Sequence, residues 1–377
     1  MSRAPLAVFE ALQRAVAAAS TAVERQALVE RWLAAAPPSP LIGADEALIW
    51  YAGPARKVVL RGDMLQERSL PLTRLADTPL WFYRARYEPD ARLDYHLLVD
   101  GRDVGDPRNP RQAPSGYGPR AELRMPRYQE PGWWIERPDT PRGQIIDVGA
   151  VASRAYGTTH HVRVYLPAAA RAPLASIYFG DGGDYLRFGS AATTLDNLIA
   201  AGAIPPCLGV FIDPSAEHGR AHDYDCNPRY AAFVCHELVP WIDAHYPTQR
   251  RAERRAIVGA SFSGLIALWI AHQRPDIFGL VASQSGYVSR AGDALIDRYH
   301  HKPTPAPAVH LLVGSYETHL GPFPPGHPEG DFVRANRALR DVLRAQSYRS
   351  AYAEYHDGHA WALWRARLGE ALIFLLG

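Results

Sequence analysis

The sequence predicts an α/β protein: a mainly parallel sheet covered by helices over its last two-thirds, preceded by a helical lead-in and an antiparallel β-sandwich. Three observations carry this. From Gln144 onward, short apolar runs alternate with longer runs of helical character, as strands do when helices cross over between them. Between about 43 and 137 the runs are short, rich in β-branched and aromatic residues, and separated by Gly, Pro and Asp. Before residue 36, apolar residues recur at three- and four-residue steps.

The lead-in, residues 1–40, reads as helical over 5–35. Leu6, Phe9, Leu12, Val16 and Ala19 form one apolar set, and Val23, Ala27, Leu28, Trp32 and Leu33 a second. Pro37-Pro38-Ser39-Pro40 ends it. Residues 41–137 follow, with strand-like runs at Leu48–Tyr51, Lys57–Arg61, Trp81–Tyr87 and Leu93–Asp100. Short strands at this spacing argue for an immunoglobulin-like sandwich of about 100 residues. Residues 118–143 are a proline-rich linker, in which Gly132-Trp133-Trp134 could dock the domains on either side.

The third segment, 144–377, opens with an antiparallel pair at Gln144–Val148 and His160–Leu166. Strands are then expected at Ala175–Gly180, Cys207–Ile212, Ala256–Ala260, Leu280–Ser285, Val309–Gly314 and Ser350–Tyr355. Helices are expected at 190–202, 228–245, from 265, at 331–346 and at 361–376.

With 47% hydrophobic and 21% charged residues the balance is that of an ordinary globular protein. A net charge of +2 supplies no field that would call for nucleic acid or an anionic membrane. The three cysteines, Cys207, Cys226 and Cys235, have neither metal-ligand spacing nor a disulfide framework, which suits a reducing compartment. The N-terminus lacks the apolar core of a signal peptide, and no run of 18 apolar residues exists. A soluble, cytoplasmic protein is expected, with its oligomeric state, a homo-oligomer included, left open. No metal cluster or phosphate-cradling glycine loop is visible, and no cofactor is expected; adjacent His160 and His161 point to opposite faces of a strand.

The chemistry is concentrated at Ala256-Ile257-Val258-Gly259-Ala260-Ser261-Phe262-Ser263-Gly264-Leu265. An apolar strand, a turn of very small residues and an apolar helix hold a serine where strand and helix pass close together, which exposes its hydroxyl at the carboxyl edge of the sheet. The usual pattern is Gly-x-Ser-x-Gly; here Ser263 occupies the last position and Gly264 follows. A serine needs a base to take its proton, and the base needs a carboxylate to orient it. In an α/β-hydrolase these follow in the order nucleophile, acid, histidine, each at a strand's carboxyl end. Glu317, past strand 309–314, stands where the acid belongs, with Asp331 a rival that reads as a helix N-cap. His359, past strand 350–355, stands where the base belongs, with His356 the alternative. For the oxyanion, one donor is expected to be the N–H of Phe262, and the other to come from the 181–185 loop, Gly183 ahead of Gly182. Arg220, Tyr185 and Trp361 are candidates for shaping the acyl pocket, with helix packing the main expectation for Trp361 and Trp364.

Many ordered motifs carry a resemblance. Phe211-Ile212-Asp213, the segment Arg220–Asn227, Phe233, Glu237–Trp241, Gly259–Gly264, Pro275–Phe278, Ser283–Gly286, Val313–Glu317 and Gly358–Arg365 resemble the enterochelin (ferric enterobactin) esterase family, within a larger esterase group that has antigen-85 and feruloyl-esterase relatives. The N-terminal sandwich, ending in Asp106-Pro107-Arg108-Asn109-Pro110, is similar to that family's N-terminal domain. The resemblance implies a serine esterase of α/β-hydrolase fold, with Ser261 as nucleophile, Glu317 as acid and His359 as base. In the siderophore branch it implies opening of a catecholate trilactone so that iron is released. Ser263, Ala360 and Asp223-Tyr224 depart from the family pattern. Relatives of the same layout cleave feruloyl or acetyl esters of plant polysaccharide, and a glycan-binding module with a degenerate hydrolase body is the non-enzymatic alternative.

Overall fold

The computed structural model describes residues 4–65, 68–168, 173–290, 292–324 and 326–377. The chain divides into two compact units. One comprises the residues up to Glu130 together with His356–Ala360; the other comprises Pro131–Tyr355 together with Trp361–Gly377.

In the first unit the lead-in is two helices, α1 (Ala4–Ala18) and α2 (Ala22–Ala35), where the sequence reads as a single helical stretch. The break is a capping box. The Thr21 hydroxyl accepts from the Glu24 N–H at 3.2 Å, and the Glu24 carboxylate accepts from the Thr21 N–H at 3.1 Å, so a new helix starts there. Phe9 and Trp32 from these helices pack edge-on against each other and against Phe82 and Trp50. Those two rings belong to an antiparallel sheet in the order β1 (Leu41–Ile42), β2 (Glu46–Ala52), β6 (Leu80–Arg86), β5 (Thr73–Arg74). A second antiparallel sheet runs β4 (Ser69–Pro71), β3 (Val58–Gly62), β7 (Arg92–Val99), β10 (Arg120–Arg124), β9 (Gln112–Ala113), with β8 (Arg102–Gly105) also paired to β7.

The second unit is built on one eight-stranded sheet, in the order β11 (Gln144–Ser153), β12 (Thr158–Leu166), β14 (Cys207–Ile212), β13 (Ala175–Gly180), β15 (Arg255–Ala260), β16 (Leu280–Gln284), β17 (Ala308–Gly314), β18 (Ser350–Tyr355). β11, β12 and β14 pair antiparallel; every pair from β14 to β18 is parallel. The central strands are buried along their length, because both faces are covered. Alternation divides their side chains. Tyr178, Ile257, Val281 and Leu311 join one core with α8 (Phe262–Gln273) and α10 (Phe332–Ala345). Phe179, Val258, Ala282 and Leu312 join the other with α4 (Ala191–Ala200) and α11 (Trp361–Leu376).

The expected helix 228–245 is α6 (Pro228–Ala232), a π-helical turn at Phe233–Leu238 and α7 (Val239–His245). Pro240 has no N–H to give and its ring crowds the carbonyl one turn back, so the ladder widens instead of continuing. Short helices that the sequence did not signal include α5 (Gly219–Tyr224) and α9 (Ala294–Tyr299). Gly132–Trp134, read as a domain-docking piece, packs within the second unit: Asn197 donates to the Trp133 carbonyl at 2.7 Å, and Arg365 lies 3.6 Å over the Trp134 ring. No described helix is long and apolar enough to cross a membrane.

Candidate active site

Because β13 to β18 run parallel, their carboxyl ends share one edge of the sheet. Ser261 follows β15 directly and precedes α8. Its backbone sits at φ 57 and ψ −118, a strained conformation for a serine, and its N–H donates to the Gln284 carbonyl at 2.9 Å. The small neighbours are required by contact. A Cβ on Gly259 would run into the Ser263 carbonyl, and one on Gly264 would stand 2.7 Å from the Ser283 hydroxyl.

Ser263, where a glycine is usual, fits for two reasons. Its hydroxyl accepts from the Ala260 N–H and donates to the Ala260 carbonyl, both at 2.8 Å, which ties the turn into a loop. Its Cβ occupies space that a side chain at position 180 would need: a Cβ on Gly180 would lie 2.8 Å from that of Ser263.

Glu317 follows β17 and is completely buried. Its Oε1 accepts from the Ser285 hydroxyl at 2.6 Å and from the Gly314 N–H at 2.7 Å. Ser285 also accepts from the Trp364 indole N–H at 2.9 Å, and its own N–H donates to the Leu312 carbonyl at 2.7 Å. Ser285 and Trp364 are thus a brace for Glu317 that the sequence reasoning missed. The available signal was the polar run Ser283-Gln284-Ser285 ending a buried apolar strand, where each polar group needs a partner. Asp331, the rival acid, caps α10 as expected and accepts from the Arg334 N–H at 2.8 Å.

The segment after β13, expected as a loop, is the first turn of helix α3 (Gly182–Arg187). A Cβ on Gly182 would collide with the backbone of Phe211 and Ile212, so this helix can press against β14 only with glycine there. The Gly183 N–H donates to Asp213 Oδ1 at 2.6 Å. That corrects the preference for Gly183 as an oxyanion donor: its proton is already held by a carboxylate. Phe262, at the first position of α8, turns its ring edge-on to Tyr287 at 4.8 Å.

Arg220, on α5, makes a two-pronged ion pair to the buried carboxylate of Asp181 at 2.8 and 2.9 Å. It also donates to the Ala260 carbonyl at 3.1 Å, beside the turn at Ser261, with its guanidinium 5.7 Å over the Phe262 ring. Tyr185 is a second correction. It is 0% exposed, its hydroxyl donates to Gln284 at 2.8 Å, and it packs edge-on to Trp361, so it belongs to the core and not to a pocket wall. Trp361 is buried between Tyr185 and Trp364, which is the packing role expected of it.

Ser261, Phe262, Gly182, Arg220 and Glu317 therefore all lie in the second unit, on residues that follow β13, β15 and β17 or on the adjoining α5. His359 lies in the segment His356–Ala360, which the chain enters from β18 and which belongs to the first unit. Of the two histidines there, the His356 ring nitrogen Nδ1 is 2.7 Å from the Asp90 carboxylate. Among the described residues no cluster of three His, Cys, Asp or Glu could hold a metal ion.

Known proteins share this layout. The family described as "Putative esterase" matches residues 153–375. An iron(III) enterobactin esterase of Escherichia coli O6:H1 (strain CFT073) is 28% identical over 346 residues, covering 82% of each chain. The crystal structure of a ferric enterobactin esterase from Salmonella typhimurium superposes with a TM-score of 0.77 at 20% identity, over 92% of this chain and 98% of that one. A ferulic acid esterase superposes with a TM-score of 0.50 at 17% identity, over 62% of this chain and 98% of its own. Since the family match spans more than half of the 377 residues and its strand–serine–helix turn is intact, this chain belongs to that esterase family, as a carboxylic ester hydrolase of the enterochelin esterase-like kind.

Proposed function

We propose that the protein is a serine esterase that opens the lactone or ester bonds of a catecholate siderophore through an acyl-enzyme intermediate. The observation that carries the chemical part is the strained backbone of Ser261 between β15 and α8. Such a turn lifts the hydroxyl clear of the sheet and aligns the first N–H groups of the helix towards the same point. In this reading His359 takes the Ser261 proton as Oγ bonds to the acyl carbon. The imidazolium then gives the proton to the departing alcohol, and a water repeats the cycle to free the acid. Glu317, buried and held by Ser285 and Gly314, keeps the imidazole in the right tautomer and offsets its charge. The Phe262 N–H serves the oxyanion, with Gly182 as the second donor in place of Gly183. Arg220 lines the acyl side. The two antiparallel sheets of the first unit we read as an immunoglobulin-like sandwich.

The siderophore assignment rests on coverage. The enterobactin esterase relative and the enterobactin esterase structure align over 82% and 92% of this chain, more than the second unit alone can supply. The ferulic acid esterase aligns over 62%. A substrate panel tests it: ferric catecholate trilactone, feruloyl esters and p-nitrophenyl acetate, with rates per active site. The trilactone should turn over with the highest kcat/KM, and a faster feruloyl ester would overturn the assignment. Ser261→Ala should abolish turnover of every ester in the panel; activity that survives it would overturn the mechanism.

A further inference from the structure

The residues just before His359 are tied to β7 of the first unit by a buried ion cluster. Arg92, at the start of β7, is 1% exposed. Its guanidinium pairs with Asp94 two residues along the strand, with Glu122 on the neighbouring β10, and with Asp357 at 3.0 Å. The Arg92 N–H donates to the His356 carbonyl at 2.9 Å. Asp357 Oδ1 also accepts from the Gly358 N–H at 2.8 Å. A Cβ on Gly358 would collide with the Asp63 carboxyl group, so the loop closes down on the first unit only with glycine there. Asp63 in turn accepts from the Asp94 N–H at 2.7 Å.

This arrangement is a poor way to gain stability. Burial pushes Asp357 up to about 7 against the pull of Arg92, with Asp94 adding to the rise. Burial, with Asp94 and Asp357 alongside, also holds Asp63 well above the carboxylate range. Taking so many charges out of water is costly, and well-packed apolar residues would often do as well or better. What a guanidinium with fixed forks does supply is geometry. The segment it grips, His356–Ala360, is the one part of the chain beyond residue 130 that belongs to the first unit.

We propose that Arg92 and Asp357 are positioning residues, whose buried ion pair holds the 356–360 segment in one conformation and so sets the aim of the His359 imidazole. This rests on the reading of His359 as the base. Neither residue touches the reacting atoms; both act through the backbone of the loop.

The test is a set of full-length variants assayed on p-nitrophenyl acetate, with folding checked by thermal unfolding. Arg92→Met would strand several carboxylates in the interior and can fail to fold, so the informative variants are Asp357→Asn, which keeps the shape, and Gly358→Ala, which pushes the loop off Asp63. Each should lower kcat by about tenfold or more with KM within about twofold, because a base shifted by a fraction of an ångström costs rate and not binding. In the His359→Ala background, Asp357→Asn should have no further effect on kcat. If His359→Ala is crippled while Asp357→Asn and Gly358→Ala keep wild-type kcat, the positioning role is wrong and the base assignment stands. A loss from Asp357→Asn that persists undiminished in the His359→Ala background also overturns it. Wild-type activity in His359→Ala itself would overturn the base assignment, and this proposal with it.

Discussion

At the level of single residues, Glu317, the proposed acid, and its surroundings set what the proposed site should do. Glu317 is a fully buried carboxylate whose Oε1 is satisfied by one hydroxyl and one backbone N–H. Hydrogen bonds to a charged group contribute about 1.5–3 kcal/mol. Ser285→Ala removes one of them, and with it the hydrogen bond that the Trp364 indole N–H donates to Ser285. We expect kcat on a p-nitrophenyl ester to fall on the order of tenfold, together with slower labelling of Ser261 by a fluorophosphonate. Unchanged labelling would mean that the Ser285 hydroxyl is not needed to hold the carboxylate. His310, on β17, gives a pH prediction. Burial lowers its pKa from 6.5 to about 4, with Glu370 opposing weakly. The unfolded chain therefore binds a proton that the folded one refuses between those values. Stability on this account is full above about 6.5, declines as pH falls, and levels off below about 4, a span of about 3 kcal/mol. His310→Leu should flatten that slope in urea titrations run from pH 7 to 4. Asp357, whose raised pKa acts in the opposite sense, cancels in the comparison with wild type.

At the level of elements, the strained turn at Ser261 is a packing problem solved jointly by β13, β15 and α8. Ser263 is tolerated because Gly180 has no side chain. Gly180→Ala alone should destabilise by about 1–3 kcal/mol through overpacking. Much of that cost should vanish in a Ser263→Gly background, since the colliding Cβ is then gone. A double-mutant cycle by urea unfolding measures the coupling, and strict additivity would show that the backbone shifts to make room. The sequence announced this turn through its run of small residues. It could not announce the compensation, because positions 180 and 263 become neighbours only when the two parallel strands lie side by side. The same holds for Gly182 and Gly183. Their order in the sequence is indifferent, whereas the Asp213 carboxylate, arriving from the end of β14, accepts a hydrogen bond from the Gly183 N–H.

On the scale of the whole molecule, the two units have separate hydrophobic cores; His359, the proposed base, belongs to the first, and Ser261 and Glu317, the proposed nucleophile and acid, belong to the second. On the proposed mechanism, activity requires the first unit to be folded. Phe9 is 0% exposed and packs edge-on against Trp32 and Phe82. Phe9→Ala should cost the first unit about 3–5 kcal/mol. The midpoint for loss of esterase activity in urea should then move with the unfolding of the first unit, although Ser261 and Glu317 are in the second. If activity instead follows the second unit, the loop bearing His359 does not depend on the first.

By itself, the sequence determined whatever is local. Apolar periodicity located every strand of the eight-stranded sheet and its longer helices, since the side-chain repeats of 2 and 3.6 are written residue by residue. It missed the short edge strands of the first unit and the short helices α3, α5 and α9, whose few residues complete too little of a repeat. Small residues around Ser261 marked the strained turn, and the order of Ser261, Glu317 and His359 along the chain named the residues on which the mechanism is proposed to run. The tertiary structure decided which groups share a hydrogen bond or a volume: Ser285 and Trp364 on Glu317, Asp213 on Gly183, Tyr185 in the core, and Arg92 on Asp357 from 265 residues away. Charges and packing volumes act through space, and nothing in linear spacing records which distant residue will arrive to satisfy them.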